Sequence, residues 1–311
     1  YSRKKLNPNI TMKKANLFLA ILLFTSVFVN AQQLPQFTQY MYNTISVNPA
    51  YAGSRETLNA TILHRNQWAG LEGNPRTSTL SVHSPLKNEK IGIGVSYIND
   101  RLGFESTNYF YGDFSYTVPV SQQVKMRFGL KGGFTSYNLE NPDPNDQFFN
   151  ANFNSINPNF GAGFYIGSNR WYAGISSPRI LNTDLNEGEF EAIERNSYYA
   201  IGGLVFDLSE TTIFKPTVIT KFTNGAPATY DFTINFLFNE KFWVGTSYRV
   251  NDASNFGAMM DYQVSRDFRI GYAYDLPTSS VRPYTGGTHE IILIFELAKK
   301  VLGPVKSPRY F

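Results

Sequence analysis

The chain has 311 residues, a formal net charge of +4, no cysteine and 16% aromatic residues. The lack of cysteine excludes a disulfide framework and thiolate chemistry. Five of its 28 basic residues and none of its 24 acidic residues lie in the first 31 positions, so a chain cleaved there carries a net charge of −1. Without a basic surface, the sequence predicts no nucleic-acid partner.

Residues 1–31 have the features of an export signal. Met12, Lys13 and Lys14 precede an apolar run over 17–29, and a short stretch that ends in the small residue Ala31 follows the run. These are the charged, apolar and cleavage regions of a secretory signal peptide. We expect cleavage after Ala31, with residues 1–11 as upstream sequence. The alternative, a membrane helix, is weaker because the run is shorter than the roughly 20 residues that span a bilayer.

Residues 32–54 form a polar segment rich in Gln, Tyr and Asn that is too polar to face lipid. It ends in Asn48-Pro49-Ala50-Tyr51-Ala52-Gly53, where the Asn-Pro step favours an extended or turn conformation and Gly53 can take a positive φ. We expect an N-terminal periplasmic or plug-like segment. Three roles are open for it: it forms a rigid entry to the first strand, it folds into the lumen of the barrel, or it binds a periplasmic component.

From about residue 55 the chain alternates apolar and polar residues, as Phe268-Arg269-Ile270-Gly271-Tyr272 shows. In a strand this alternation separates an apolar face from a polar face. The sequence therefore predicts an all-β fold, an antiparallel transmembrane β-barrel of about 14 strands at 55–298, followed by a periplasmic tail at 299–311. The predicted strands are 55–67, 76–84, 91–99, 107–118, 124–137, 160–166, 171–176, 197–208, 212–222, 229–238, 242–250, 256–264, 267–275 and 288–297.

The connections between these strands divide into two classes. The short turns, 168–170, 209–211, 239–241 and 265–266, all fall at one end of the barrel, and the long loops, 138–159, 177–196 and 277–287, fall at the other. Bacterial barrels have short periplasmic turns, longer extracellular loops and an even number of strands. We therefore predict that the long loops lie outside the cell and that both mature termini are periplasmic. A soluble β-sandwich is the alternative.

Charged residues fix which face of each strand points inward. An Arg or Lys facing lipid near the bilayer midplane costs about 2 to 4 kcal/mol. A 14-strand lumen is wider than side chains alone fill, so we expect either the 138–159 loop or the 32–53 segment to occupy it. The predicted inward charges are Arg65, Asp113, Lys125, Arg127, Lys131, Lys215, Lys221, Asp231, Arg249, Asp261, Arg269 and Asp275.

Two outer loops are the predicted partner surface, because rigid aromatic anchors favour interfaces. Trp68 is alternatively a residue of the interfacial aromatic girdle. The acidic stretches 184–191 and 141–146 also invite a calcium interpretation, but neither has the EF-hand pattern, so we expect solvated loops and no metal site. The candidate residues are Trp68, Gly70, Leu71, Gly73 and Pro75 in the first loop, and Asp184, Glu187, Glu189 and Phe190 in the loop 177–196.

The sequence predicts neither an enzyme nor a cofactor. Catalysis needs a nucleophile with an oriented base. The histidines are His64, His83 and His289, and His83-Ser84 is too common a pairing to indicate a hydrolase barrel. We expect His289 and Glu290 to form a buried pair that anchors the outer rim.

Several motifs together resemble the PorP/SprF family of Bacteroidetes. They are Pro35 to Asn43, Val47 to Gly53, Arg65-Asn66-Gln67-Trp68, Gly286 to Ile291 and the ending Ser307 to Phe311. The resemblance covers nearly the whole mature chain. The residues of these motifs include Asn48, Pro49, Ala50, Tyr51, Ala52, Gly53, Arg65, Gln67, His289 and Glu290.

The resemblance implies an outer-membrane barrel of the type IX secretion and gliding system. By that resemblance the protein would be a partner-specific factor for secretion or surface anchoring of a large adhesin with a type IX C-terminal domain. Its other expected partners are type IX secretion components, including periplasmic ones, and outer-membrane lipid. An outer-membrane porin or solute channel is the alternative function.

Overall fold

The computed structural model describes residues 36–87, 89–140, 153–184, 193–251 and 255–297. Fourteen long strands form one antiparallel sheet. They are β1 Asn59–Asn66, β2 Arg76–Pro85, β3 Ile91–Leu102, β4 Glu105–Pro119, β5 Lys125–Leu139, β6 Phe153–Gly167, β7 Trp171–Ser177, β8 Ser197–Leu204 with its continuation Phe206–Asp207, β9 Thr212–Thr223, β10 Thr229–Phe238, β11 Phe242–Val250, β12 Asn255–Gln263, β13 Phe268–Pro277 and β14 Thr288–Glu296.

The sheet closes on itself. Each strand pairs with the next, and β1 also pairs with β14 from Asn59↔Glu296 to Asn66↔His289. The structure thus confirms the predicted antiparallel barrel of 14 strands. Within the described residues, no helix is long and apolar enough to cross a membrane.

The two faces of the strands differ as predicted. In β4, the side chains of Phe110 and Phe114 are exposed, whereas those of Tyr111 and Asp113 are buried. The predicted inward charges are buried, apart from Lys125 and Arg269, which are partly buried. The free-energy cost of a charged side chain facing lipid therefore determines which face of each strand points inward.

The two ends of the barrel differ in their connections. The short-turn end carries the connections 86–90, 120–124, 168–170, 208–211, 239–241 and 264–267. The long-loop end carries 67–75, 103–104, 140–152, 178–196, 224–228, 251–254 and 278–287. This confirms the predicted division between turns and long loops.

We expect the long-loop end to face the cell exterior. Cysteine introduced at Thr278, an exposed residue of that end, should react with an impermeant maleimide on intact cells, because the outer membrane does not shield it. Cysteine at Glu240 or Asn169 at the short-turn end should stay unmodified until the cells are lysed. Asn186 and Asn145 are further outer positions by sequence, outside the described residues. The reverse labelling pattern would mean that the barrel is inverted.

The largest differences from the predicted strand bounds are at two places. β6 begins at Phe153 rather than at 160, since residues 153–159 pair with β5 from Leu139↔Phe153 to Gly133↔Asn159. β1 begins at Asn59 rather than at 55, because Glu56 has a φ of +57° and turns the chain. The loop 178–196 contains a short hairpin in which Thr183–Asp184 pairs with Ile193–Glu194.

Candidate functional site

Residues 36–58, here called the plug, lie inside the barrel. The segment includes three single-turn 3₁₀ helices, Tyr40–Tyr42, Thr44–Ser46 and Pro49–Tyr51, and its side chains are largely buried. Its hydrogen bonds reach strands around the whole circumference: they include those to Thr79 in β2, Phe164 in β6, Thr217 in β9, Asp261 in β12 and Glu290 in β14. The sequence offered a second candidate to fill the lumen, the loop 138–159, which falls partly outside the described residues.

The turn chemistry of the Asn-Pro-Ala-Tyr-Ala-Gly element is as predicted. Asn48 is extended, with φ −135° and ψ 108°, and its side chain accepts a hydrogen bond from the Ala50 N–H at 3.0 Å. Pro49 occupies the first helical position, where its missing N–H is not needed. Gly53 has a φ of +69°, a conformation that favours glycine.

This element packs its backbone directly against the barrel wall. An added Cβ would lie 2.1 Å from Ala50 N at Gly129, and 2.1 Å from Asn48 Oδ1 at Gly163. The Ser115 hydroxyl donates to the Ala52 carbonyl at 2.6 Å. Glycine is therefore required at these wall positions because the plug occupies the space of a side chain.

A buried charge cluster, here called the latch, holds the start of the plug near the long-loop end. The Arg65 guanidinium lies 2.9 Å from both Asp275 Oδ2 and Glu290 Oε2, and the three side chains are at most 2% exposed. The Glu290 carboxylate also accepts the backbone N–H groups of Thr38 and Gln39, at 3.0 and 2.8 Å. The latch thus joins three strands to the plug.

The expected pair of His289 and Glu290 does not form. Glu290 is 1% exposed in the latch, whereas His289 lies on the opposite face of β14, where its Nδ1 is 2.6 Å from the Tyr272 hydroxyl. Neighbouring residues in a strand point to opposite faces, so adjacency in sequence separates these side chains.

Other lumen charges are also paired. Arg249 Nε lies 2.8 Å from Asp231 Oδ1, and Lys131 Nζ lies 2.8 Å from Asp113 Oδ1. Gln36 of the plug donates to Asp231 at 2.7 Å.

Tyr42 of the plug also contacts a charged side chain of β12. Burial raises the pKa of the Tyr42 hydroxyl, which stays protonated and donates to Asp261 at 2.7 Å. The plug is therefore bound to the wall by polar contacts of several kinds.

The histidines have separate partners. His83 Nδ1 accepts the Gly53 N–H at 3.1 Å, and His64 Nδ1 lies 2.9 Å from the Ser78 hydroxyl. Within the described part of the chain, no group of three or more His, Cys, Asp or Glu side chains could hold a metal ion. The stretch 141–146, and 185–191 of the second acidic stretch, fall outside that part.

The first outer loop is tied to the last one. The Ala69 N–H donates to the Gly287 carbonyl at 2.7 Å, and the Trp68 N–H donates to the Thr288 hydroxyl at 3.2 Å. Trp68 and Leu71 are partly buried. Positive φ values occur at Trp68 (54°), Gly70 (96°) and Gly73 (70°). Gln67 donates its N–H to the Pro75 carbonyl at 2.9 Å, which closes the loop.

The loop 178–196 turns its ends into the mouth of the barrel. Arg179 and Glu194 form a buried ion pair, and the Arg179 guanidinium lies 4.6 Å from the ring centroid of Tyr109. Asn159 Oδ1 accepts the N–H groups of Ile180 and Leu181, at 3.1 Å each.

Two apolar side chains near the start of this loop stay at the surface. Ile180 and Leu181 are both 46% exposed. Sequence reasoning did not single out Asn159, Arg179 or Glu194, although two opposite charges near the ends of one long loop were a usable signal. Asp184 lies in the short hairpin, whereas Glu187, Glu189 and Phe190 fall outside the described residues.

Comparisons with known proteins agree with this architecture. A family described as type IX secretion system membrane protein PorP/SprF matches residues 29–295. No curated protein sequence matches the chain. Among solved structures, the Acinetobacter baumannii outer membrane protein Omp33 superposes with a TM-score of 0.50 and 10% identity, covering 78% of this chain and 98% of that one. The KdgM porin superposes with a TM-score of 0.38 and 8% identity, covering 77% and 99%.

Proposed function

Because the chain belongs to the PorP/SprF family of type IX secretion system membrane proteins and has an outer-membrane β-barrel fold, we propose that it serves one partner. That partner is a large cell-surface adhesin with a type IX C-terminal domain, which the protein helps to secrete or anchor at the cell surface. The observation that carries the proposal is the occupied lumen. A lumen filled by the chain's own N-terminal segment leaves no open path for diffusion, which favours a role of the protein's surface over that of an open channel.

The long-loop end supplies the proposed partner surface. The first loop is held in one shape by its bonds to residues 286–288, which lowers the entropy lost on binding. Ile180 and Leu181 add two exposed apolar side chains on a loop anchored by Asn159. Exposed apolar residues on a fixed base are typical of protein contact sites. The short-turn end is the side on which periplasmic type IX components would meet the barrel.

Deletion of the protein tests the proposal. We expect surface display of one adhesin to be lost while other type IX cargo is still exported, because the barrel serves a partner rather than the shared pathway. Surface proteomics of the deletion strain and of the complemented strain measures this. Loss of all type IX cargo, or of none, would contradict the partner-specific role.

A charge at the proposed partner surface should weaken adhesin retention. Replacing Leu181 by Asp places a carboxylate in an apolar contact, and a contact of this kind contributes about 1 to 2 kcal/mol, or on the order of tenfold in affinity. Whole-cell immunolabelling of the adhesin reports the loss.

The matched control for Leu181 is Leu86, which is 42% exposed at the short-turn end. Leu86→Asp should leave retention unchanged. Trp68→Ala tests the first loop in the same assay. If Leu181→Asp and Trp68→Ala assemble normally and both retain the adhesin fully, the partner surface is elsewhere.

A further inference from the structure

Two exposed arginines oppose each other on the outward face of the barrel wall, near the long-loop end. Arg76 is the first residue of β2, Arg101 is the last but one of β3, and the two are direct cross-strand partners. Both side chains are exposed. On the inward face, the Thr77 hydroxyl donates to the Asp100 carboxylate. Because neighbouring residues of a strand point to opposite faces, the two guanidinium groups point away from the lumen.

The residues below this arginine pair show where the lipid tails end. Toward the long-loop end, the cross-strand pairs on the outward face change from apolar to polar to basic: Val82↔Val95, Leu80↔Tyr97, Ser78↔Asn99 and Arg76↔Arg101. Val95 is 60% exposed and Leu80 is 44% exposed, as expected of side chains that contact lipid tails. The arginine pair lies two steps beyond Leu80, or about 13 Å along the strand. That distance places it outside the hydrocarbon, at the level of the headgroups.

Aromatic rings on the neighbouring strands mark the same boundary. The ring centroids of Tyr97 in β3 and Phe110 in β4 are 4.7 Å apart, and those of Phe110 and Phe134 in β5 are 5.2 Å apart. Aromatic side chains are enriched where the hydrocarbon meets the headgroups of a membrane. The arginine pair therefore lies just beyond an aromatic girdle, in the layer that contains the phosphate groups of lipids.

No described acid neutralises the two arginines. The ion pairs of the described residues include neither Arg76 nor Arg101. The acid nearest to Arg76 in sequence, Glu72, is exposed in the first outer loop, and the one nearest to Arg101, Asp100, is on the inward face. Like charges directly opposite each other destabilise a sheet. An anion that binds both guanidinium groups would remove this repulsion.

We propose that Arg76 and Arg101 bind the phosphate group of a lipid in the outer leaflet. A guanidinium group presents paired N–H donors that match phosphate oxygens, so two facing arginines hold one phosphate from both sides. The apolar strip below them, which includes Leu80 and Val95, contacts the acyl chains of the same lipid. The leaflet follows from the expected orientation of the long-loop end, and the site does not depend on the proposed adhesin partner.

Native mass spectrometry of the purified barrel in a neutral detergent measures lipid binding at this site. The probes are phosphatidic acid and a diacylglycerol that has the same acyl chains but no phosphate. We expect phosphatidic acid to bind the unaltered barrel on the order of tenfold more tightly than diacylglycerol, and the double variant Arg76→Gln/Arg101→Gln to lose that difference. Arg101→Lys keeps the charge without the fork of donors, so its affinity for phosphatidic acid should be intermediate.

Arg170→Gln/Arg266→Gln is the matched control, because it removes two exposed arginines at the short-turn end and the same net charge. This variant should bind phosphatidic acid as tightly as the unaltered barrel. Equal losses in the two double variants, or equal binding of the two probes to the unaltered barrel, would overturn the site. Displacement of phosphatidic acid by inorganic phosphate at equal concentration would overturn its assignment to a lipid. If the double variant does not assemble, Arg101→Gln replaces it under the same criteria.

Discussion

Replacing Glu290 by alanine should release the start of the plug and turn a closed barrel into a conducting one. After the substitution, Asp275 is the one acidic partner of the Arg65 guanidinium that remains in the latch. The substitution also removes the acceptor of the Thr38 and Gln39 N–H groups. Arg65 keeps Asp275, so the loss of this second ion pair costs less than the about 3 to 5 kcal/mol of a buried charge left unpaired. Two buried N–H groups without an acceptor add about 1 to 3 kcal/mol each. The contacts that hold residues 36–39 in place are therefore weakened, although Gln36 still donates to Asp231 and Thr38 still donates to Asp275.

Planar-bilayer recording measures this release. The unaltered barrel should show little steady conductance, and Glu290→Ala should show frequent or sustained openings. Hydrogen exchange at Thr38 and Gln39 should rise in parallel, because their N–H groups lose their acceptor. Glu290→Gln keeps one acceptor oxygen without the charge, so we expect an intermediate result.

Glu240→Ala, at an exposed residue of the short-turn end, is the control and should behave like the unaltered protein. If Glu290→Ala conducts and exchanges no more than that control, the latch does not hold the plug. A stable large conductance in the unaltered protein would instead favour the porin alternative.

The wall of the barrel was predictable because lipid imposes a simple rule on each strand. A charged side chain facing lipid is costly, so residues such as Lys215 and Asp231 reveal the inward face from sequence alone. The rule does not apply to strand residues that extend beyond the lipid. Residues 153–159 do not alternate apolar and polar residues, so their strand character followed only from their register with β5.

The contents of the lumen were not predictable in the same way. Arg65 and Glu290 meet because barrel closure brings β1 beside β14, and no local pattern encodes a contact across 225 positions. Gly92 likewise carries no signal of its own in the sequence, because it falls within the alternating residues of β3. In the structure, an added Cβ there would lie 2.1 Å from the Ala52 carbonyl oxygen. That constraint comes from the plug and becomes visible only once the plug is in place.

Replacing Gly129 by alanine should destabilise the barrel strongly. The new Cβ would lie 2.1 Å from Ala50 N, and because the opposing atom is backbone, no side-chain rotation relieves the overlap. Overpacking of this kind costs about 3 kcal/mol or more, which corresponds to a fall of about 10 °C in the midpoint of thermal unfolding. Heat-modifiability on gels measures the midpoint, and limited proteolysis reports whether the plug leaves the wall.

Gly112 is the matched control for Gly129, because it lies on the neighbouring strand β4 and an added Cβ there would have its nearest contact at 3.9 Å, with the Gly132 carbonyl oxygen. Gly112→Ala should therefore leave the midpoint nearly unchanged, which separates the clash from the general effect of removing a strand glycine. Gly163→Ala should lower the midpoint by less than Gly129→Ala, since the atom 2.1 Å from its Cβ is the side-chain Oδ1 of Asn48 rather than backbone. If all three variants unfold at the midpoint of the unaltered barrel, the Asn-Pro-Ala-Tyr-Ala-Gly element does not pack against this wall in the membrane.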